Sequence, residues 1–210
     1  MKKGLGDAEK AKKFIKSNKK LLIEKFANSG IYAATENPIS LFMAGSPGAG
    51  KTEYLKALIK IFDEPIVRID ADDIRDIIPI YNGKNSDVVQ GAASLGVEKL
   101  YDHVLSKKID VIIDGTFAIY DIAYRNIKRS ISKERRVGIF YIYQDPMVAW
   151  EFTKKREKLE GRMVPKDIFI RSFFAAKENV NKIKGIFKEK VRVYLVIKNF
   201  SNDIEKFYFR

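Results

Sequence analysis

Eight consecutive residues carry the pattern G-x-x-x-x-G-K-[ST], which is typical of a phosphate-binding loop: Gly45, Ser46, Pro47, Gly48, Ala49, Gly50, Lys51 and Thr52. Glycines let backbone N–H groups turn toward a phosphate, and the positive end of a following helix adds to the attraction. We expect Lys51 to reach the outer phosphates and the Thr52 hydroxyl to hold Mg²⁺. A structural turn needs neither side chain, so the pattern predicts a nucleotide site.

Composition excludes several other kinds of chemistry. The 210 residues include no cysteine, which rules out disulfides, thiol catalysis, iron–sulfur clusters and cysteine-type zinc sites. The single histidine, His103, is too little for a histidine metal cluster or a Ser/His triad, and we interpret it as a surface or core residue. Catalysis must therefore come from carboxylates, hydroxyls and cationic side chains.

A group of acids follows the second predicted strand: Asp70, Asp72 and Asp73. The carboxyl ends of parallel strands face one crevice, so Asp72 is predicted to accept a proton from a hydroxyl that attacks the γ-phosphate. The alternative is that these acids cap a helix, which suits Asp70 or Asp73 better than Asp72. Arg75 would pair either with a phosphate of the acceptor or with Asp72.

Three further residues are candidates for the substrate and metal sites. Asp114 ends an apolar run and is expected to hold Mg²⁺ through water. Thr116 could reach a substrate hydroxyl or phosphate. Glu98 lies within a predicted helix and is either turned toward the crevice or exposed.

Residues 150–165 have the features of a mobile lid: a charged helix, a glycine at Gly161 and a proline-initiated second helix. Arginines suit phosphoryl oxygens because their planar fork is permanently charged. We expect Arg162, followed by Arg156, to contact the transferred phosphate. The alternative for both is a solvated charged face.

The apolar pattern predicts strands alternating with helices, and therefore an α/β fold with a parallel sheet of about five strands and helices on both faces. We expect one P-loop kinase domain over residues 1–210, with an N-terminal helical extension at 1–37 and the lid at 150–165. The predicted strands are 39–44, 66–70, 110–114, 137–143, 191–197 and a short last strand near 204–209. The predicted helices are 8–28, 51–62, 86–108, 121–133, 146–160 and 165–188.

The charge and hydropathy of the chain limit its partners and location. Forty Lys and Arg against 27 Asp and Glu leave a net charge of +13, which attracts a nucleotide, another anionic small molecule, nucleic acid or an acidic protein. Lysines interrupt the apolar segment that a signal peptide needs, and the longest apolar run, 137–143, is too short to span a membrane. A cytoplasmic protein without membrane contact is predicted.

The class of phosphate chemistry follows from what accompanies the loop. A GTPase should carry Asn-Lys-x-Asp, but the Asn181-Lys182 pair lies within a predicted helix and is followed by Ile-Lys. A small phosphoryl-transfer enzyme fits better than a GTPase or a motor ATPase.

Together, Gly45–Thr52, the acids around Asp72, Asp114-Gly115-Thr116 and the Gly161–Pro165 segment resemble the zeta toxin family of bacterial kinases. The resemblance covers about residues 10 to 200. It implies a P-loop kinase fold, MgATP as donor with GTP used by some members, and phosphorylation of UDP-N-acetylglucosamine or related UDP-amino sugars at the 3′-hydroxyl of the sugar. It also implies the toxin half of a toxin–antitoxin pair, silenced by a small helical antitoxin that obstructs the nucleotide site.

The resemblance also assigns roles to residues of this chain. The family's general base falls on Asp72 and its substrate-binding glutamate on Glu98. Its phosphate lysine, metal-binding hydroxyl and lid arginines fall on Lys51, Thr52, Arg156 and Arg162. Two departures are that Asp114 stands where a glutamate is common, and that Phe117-Ala118 follows Thr116 where the family often has an arginine two residues after the threonine.

Two other functions stay open at this point. One is a kinase for another hydroxyl, such as a nucleoside, a sugar or the 5′ end of a polynucleotide, for which the positive charge is an argument. The other is a regulatory nucleotide-binding protein whose lysine-rich faces dock to an acidic partner. A regulatory site would not require both Asp72 and the lid, and nucleic acid is disfavoured as a partner without being excluded.

Overall fold

The structure is a computed structural model that describes residues 2–160, 163–199 and 203–209. It contains strands β1 (Ile39–Ala44), β2 (Val67–Asp70), β3 (Val111–Asp114), β4 (Arg136–Tyr143), β5 (Val191–Lys198) and β6 (Ile204–Phe209). The helices are α1 (Lys2–Ser17), α2 (Lys19–Phe26), α3 (Lys51–Ile59), α4 (Ala71–Arg75), α5 (Ser86–Ser106), α6 (Tyr120–Ile131), α7 (Pro146–Glu160) and α8 (Lys166–Phe187), followed by a 3₁₀ turn, Lys188–Lys190.

The strands form one mostly parallel sheet in the order β2-β3-β1-β4-β5-β6. Strand β4 runs parallel to both β1 and β5, with Ala44 level with Tyr141 and Tyr141 level with Leu195. The predicted α/β fold is confirmed, and the last strand predicted near 204–209 is present as β6, which runs antiparallel to β5. A strand that follows its neighbour after a short connection can only return in the opposite direction.

Contacts within the chain divide it into two compact units. The first comprises Met1–Glu36 and Glu64–Val111, and the second comprises Asn37–Asp63 and Ile112–Arg210. The single domain expected over residues 1–210 stays a prediction.

The first unit is built on the buried face of α5. Helices α4 and α1 both come close to α5 at Gly96. A Cβ at this position would lie 2.6 Å from Ile74 of α4 and 3.7 Å from Ile15 of α1. Both isoleucines are fully buried. The small residue thus lets two helices pack against α5, which places α4 and the acids of its first turn.

The N-terminal helix predicted over residues 8–28 is wrong in detail, because it is two helices. Helix α1 ends at Ser17, and Asn18 leaves the helical conformation with φ −111° and ψ 35°. The Asn18 side chain donates to the Phe14 carbonyl at 2.8 Å. The Asn18 N–H also donates to this carbonyl at 3.0 Å, so the helical hydrogen bond is kept and the break is a local change of the backbone angles at Asn18.

The core of the second unit contains a row of aromatic rings across the sheet. Phe140 of β4 contacts Tyr54 of α3 at 5.6 Å and Tyr194 of β5 at 4.6 Å between ring centroids. Tyr143, three residues later and on the opposite face of β4, contacts Phe173 of α8 at 6.1 Å. Helices therefore cover both faces, with α3 held on one of them.

No helix in the part of the chain that the structure describes combines the length and apolarity needed to cross a membrane.

Candidate active site

The loop between β1 and α3 has the backbone geometry that the sequence pattern predicts. Gly45, Gly48 and Gly50 have positive φ values of 137°, 74° and 81°. A Cβ would lie 2.4 Å from the Ile142 carbonyl oxygen at Gly45, and 2.0 Å from the Ala149 carbonyl oxygen at Gly48. The loop therefore needs glycine at both positions for conformation and for space.

Lys51 begins α3 and turns its ammonium back toward the loop. Its Nζ donates to the carbonyl oxygens of Gly45 at 3.0 Å and Ser46 at 2.7 Å. The lysine is half-buried, and Ser46 is buried. A fixed cation at the N-terminus of a helix is an arrangement that attracts phosphate oxygens.

Two residues of the second unit have the chemistry to hold Mg²⁺. Thr52 is half-buried in the first turn of α3, and Asp114 is half-buried as the last residue of β3. Among residues 2–160, 163–199 and 203–209, no group of three or more His, Asp or Glu side chains could hold a metal ion. Mg²⁺ usually takes one or two protein oxygens and completes its shell with water and substrate phosphates, so this sparse donor set fits it.

The segment after β3 is fixed to the phosphate loop. The Gly45 N–H donates to the Thr116 carbonyl oxygen at 3.1 Å, while the Thr116 hydroxyl accepts from the Ala118 N–H at 3.4 Å. Phe117 adopts a positive φ of 62° and packs edge-on against Phe42 of β1. Buried Asn179 of α8 donates to the Phe117 carbonyl oxygen at 3.0 Å. These contacts place Thr116 beside the loop and explain Phe117 as a packing residue.

Helix α7, the first part of the predicted lid, touches the phosphate loop at its N-terminal half. Asp145 caps it by accepting from the Met147 N–H at 2.8 Å. Ala149 and Thr153 are buried, and they are the two residues that a Cβ at Gly48 would meet. Arg156 is exposed near the end of the helix, whereas Gly161 and Arg162 lie outside the described residues. Helix α8 then begins at Lys166, so Pro165 is its N-cap rather than part of its first turn.

In the first unit, Asp70 rather than Asp72 caps α4. The Asp70 side chain accepts from the Asp72 N–H at 2.9 Å. Arg68 forms ion pairs with Asp70 and with Asp73, the latter at 2.8 Å. The structural role that the sequence left open among the acids therefore belongs to Asp70, and Asp73 is tied to it through Arg68.

The Asp72 carboxylate faces a different partner. It forms an ion pair with Arg75 at 2.6 Å, and its side chain is 31% exposed. Arg75 also donates to Gln90 of α5 at 3.1 Å, and its side chain is only 14% exposed. Of the two partners predicted for Arg75, the structure shows Asp72. The ion pair with Arg75 orients the Asp72 carboxylate, which stays in contact with solvent.

Two titratable residues of α5 were singled out from the sequence. Glu98 is half-buried within the helix. His103 is also half-buried, and burial lowers its pKa, with Lys107 and Lys19 acting in the same direction.

Replacing Asp70 with alanine should lower the free energy of unfolding by about 1 kcal/mol, because α4 loses its N-cap. Urea denaturation measures the change. Asp73→Ala is the matched control, since it also removes a contact to Arg68 but no cap. Equal losses for the two variants would contradict the assignment of the cap to Asp70.

Sequence reasoning missed three residues that shape the site: Ala149, Thr153 and Asn179. Ala149 and Thr153 lie close to the backbone of Gly48, and Asn179 donates one hydrogen bond to the Phe117 carbonyl oxygen. All three are distant in sequence from the residues that they contact. The one available signal was a small or polar residue among the apolar positions of a helix, which is common enough to pass unnoticed.

The sequence model of the zeta toxin family matches residues 24–208. The chain belongs to the zeta toxin family. The resemblance inferred from the loop, the acids and the lid segment is thereby confirmed. As a zeta toxin, the chain is a kinase-like phosphotransferase with a P-loop fold that binds nucleotide.

Individual relatives agree with this assignment. The chain is 27% identical to toxin PezT of Streptococcus pneumoniae serotype 4 (strain ATCC BAA-334 / TIGR4) in an alignment of 179 positions, which covers 77% of this chain and 70% of PezT. A solved structure of the PezAT chromosomal toxin–antitoxin system of S. pneumoniae matches with a TM-score of 0.70 at 22% identity, covering 95% of this chain and 80% of the other. A structure of AvrRxo1-ORF1:AvrRxo1-ORF2 with ATP matches with a TM-score of 0.64 at 13% identity, covering 93% and 64%. At these identities the two structures show the shared fold alone.

Proposed function

We propose that the chain transfers the γ-phosphate of ATP, or of GTP, to the sugar 3′-hydroxyl of UDP-N-acetylglucosamine or a related UDP-amino sugar. The phosphate loop carries this proposal: its glycines leave no room for side chains, and Lys51 turns its ammonium into it. Membership of the zeta toxin family supports the class of reaction. The residue roles below are proposals of the same kind.

In the proposed reaction, Asp72 accepts the proton of the attacking hydroxyl. The hydroxyl oxygen forms a bond to the γ-phosphorus, the bond between that phosphorus and the β,γ-bridging oxygen breaks, and a nucleoside diphosphate leaves. The local geometry supports this role, because Asp70 and not Asp72 supplies the cap of α4. A positioned base contributes about 10² to 10⁴ in rate.

We assign to Lys51, Arg156 and Arg162 the stabilisation of the negative charge that develops on the transferred phosphoryl group. Loop N–H groups of Gly45–Gly50 hold the remaining phosphate oxygens. Thr52, and Asp114 through water, would hold Mg²⁺, which neutralises negative charge on the donor phosphates. Catalysis of this type depends on positioning and on electrostatics more than on covalent chemistry.

Glu98, Thr116 and Arg75 are proposed to contact the acceptor. Thr116 has the best support, because its backbone is hydrogen-bonded to Gly45 of the loop. Arg75 already holds Asp72, so its contribution to acceptor binding would come from the same guanidinium.

A small helical antitoxin is the proposed protein partner. The PezAT system of S. pneumoniae, whose toxin shares this fold, is a chromosomal toxin–antitoxin system. We place the activity in the cytoplasm, where ATP is made and held.

Incubation with MgATP or MgGTP and UDP-N-acetylglucosamine should yield a product heavier by one phosphoryl group, detected by mass spectrometry. Lys51→Ala should yield none, because the loop loses its cation. Substitution of a lysine outside the loop, Lys56→Ala on α3, is the matched control. Absence of product from the wild-type protein with both donors would reject this acceptor.

The second candidate function is a kinase for another hydroxyl, including a polynucleotide 5′ end. Two observations favour testing it: Ala118 stands where the family often has an arginine, and the net charge is +13. A panel of nucleosides, sugars and oligonucleotides in the same assay separates the candidates. Activity on an oligonucleotide that falls steeply with salt would identify the polynucleotide.

A further inference from the structure

A cleft of about 580 Å³ opens between α3 and the β5–β6 hairpin, within the second unit. Its walls are mainly apolar, and three charged side chains converge on it: Glu53, Lys198 and Asp203. The apolar walls include Tyr54, Leu58, Ile204 and Phe207. Small-molecule sites usually occupy about 300–1,000 Å³ and combine apolar walls with a few polar groups. The cleft has these properties.

Lys198 is the unusual residue of this cleft. It is only 8% exposed, and its Nζ forms no hydrogen bond or ion pair within residues 2–160, 163–199 and 203–209. Burial lowers its pKa, while the charges of Glu53 and Asp203 act in the opposite direction. Among the described residues, Lys198 Nζ is not one of the fully buried polar atoms, so the ammonium keeps contact with solvent. An acceptor on a ligand in the cleft could replace this water.

The hairpin at the mouth of the cleft is braced. The Asn199 N–H donates to the Asp203 carbonyl oxygen at 2.8 Å, and the Asp203 N–H donates to the Asn199 side chain at 2.8 Å. Gln144, which is buried and follows β4, donates to the Asn199 carbonyl oxygen at 2.7 Å. These hydrogen bonds hold Asn199, which follows Lys198, next to Asp203.

The cleft lies at a suitable distance from the phosphate loop. Strands β1, β4 and β5 are consecutive in the sheet, so the carboxyl ends of β1 and β5 are two strand spacings, about 10 Å, apart. The phosphate loop follows β1, Lys198 ends β5, and Glu53 comes directly after Thr52 in α3. The α-phosphate and ribose of a nucleotide can span this distance, which would put its base in the cleft.

We propose that the cleft binds the base of the donor nucleotide and that Lys198 and Asp203 select guanine over adenine. This inference rests on the nucleotide site of the proposed function. Lysine is a common donor to guanine O6 and N7. The Asp203 carboxylate, an acceptor with two oxygens, can accept from both the N1–H and the 2-amino group. Adenine offers a carboxylate one donor on the same edge and has no O6 for the lysine.

The test compares the affinities of GTP, ATP and inorganic tripolyphosphate for the full chain by calorimetry with Mg²⁺. GTP should bind about tenfold or more tightly than ATP, since one good polar pair to a base discriminates by about that factor. Lys198→Met should lower the GTP to ATP ratio by about tenfold and leave tripolyphosphate affinity unchanged. Asp203→Asn, at an exposed position, should lower the ratio by a similar factor.

Lys56→Met, on an exposed part of α3 outside the cleft, should change none of the three affinities. Equal binding of GTP and ATP by the wild-type chain would overturn the inference. A loss of tripolyphosphate affinity in Lys198→Met as large as the loss for GTP would also overturn it. If GTP binds selectively but no acceptor is phosphorylated, the inference stands and the proposed acceptor chemistry fails.

Discussion

The Asp72→Asn variant is expected to lose phosphoryl transfer by a factor of about 10² to 10⁴ in kcat. The amide keeps the size of the side chain but cannot take the proton from the attacking hydroxyl. Nucleotide affinity should not change, because the phosphates are assigned to Gly45–Thr52. Steady-state kinetics with the acceptor that the wild-type protein phosphorylates measures kcat. Calorimetry with a non-hydrolysable nucleotide measures the nucleotide affinity.

Asp73→Asn is the matched control for this variant. Both acids lie in the first turn of α4 and both pair with an arginine, but we assign proton transfer to Asp72 alone. Equal kcat losses in the two variants, or an unchanged kcat in Asp72→Asn, would remove Asp72 from its proposed role. In cells, induced expression of the intact chain should arrest growth, and expression of Asp72→Ala should not.

A second large effect is expected for Gly48→Ala. The added Cβ would lie 2.0 Å from the Ala149 carbonyl oxygen and 2.6 Å from the Thr153 hydroxyl, and φ is +74°. Backbone in this region costs a non-glycine residue about 1–3 kcal/mol, and here α7 must also move away from the loop. A strain of this size should lower nucleotide affinity, measured by calorimetry, by about tenfold or more. Urea denaturation should show a lower free energy of unfolding.

Gly83→Ala separates the two causes. Gly83 has nearly the same φ, +82°, but nothing lies within 4 Å of the Cβ position. This variant should show a small loss of stability and full nucleotide affinity. If Gly48→Ala behaves in the same way as Gly83→Ala, the close approach of α7 to the loop is not needed for nucleotide binding.

The local pattern of apolar and polar residues predicted most elements to within a few residues. Strand β1 and the start of α3 are where the phosphate-loop motif requires them, and β4 matches a long apolar run. The break at Asn18 was not predicted, because one residue with non-helical backbone angles leaves the apolar pattern of residues 8–28 unchanged. The direction of β6 also needed its pairing with β5.

The candidate site divides in the same way. Motif spacing was enough to propose roles for Lys51 and Thr52, since both stand at the start of a helix after a glycine-rich turn. It could not decide between Asp70 and Asp73 as the cap, because both lie at the start of the same short helix. The hydrogen bond from the Asp72 N–H to the Asp70 side chain made that distinction.

Features that depend on residues close in sequence could therefore be predicted from the sequence. They include the glycine-rich loop, the acids after β2 and the class of reaction that these allow. Long-range contacts cannot be predicted in this way, because they join residues that are far apart in sequence. Examples are the Ala149 carbonyl beside Gly48, the Asn179 amide bound to the Phe117 carbonyl, and Lys198 in the cleft beside α3. Such contacts arise only when helices and strands pack, since packing decides which polar groups meet and which are left to bind a ligand.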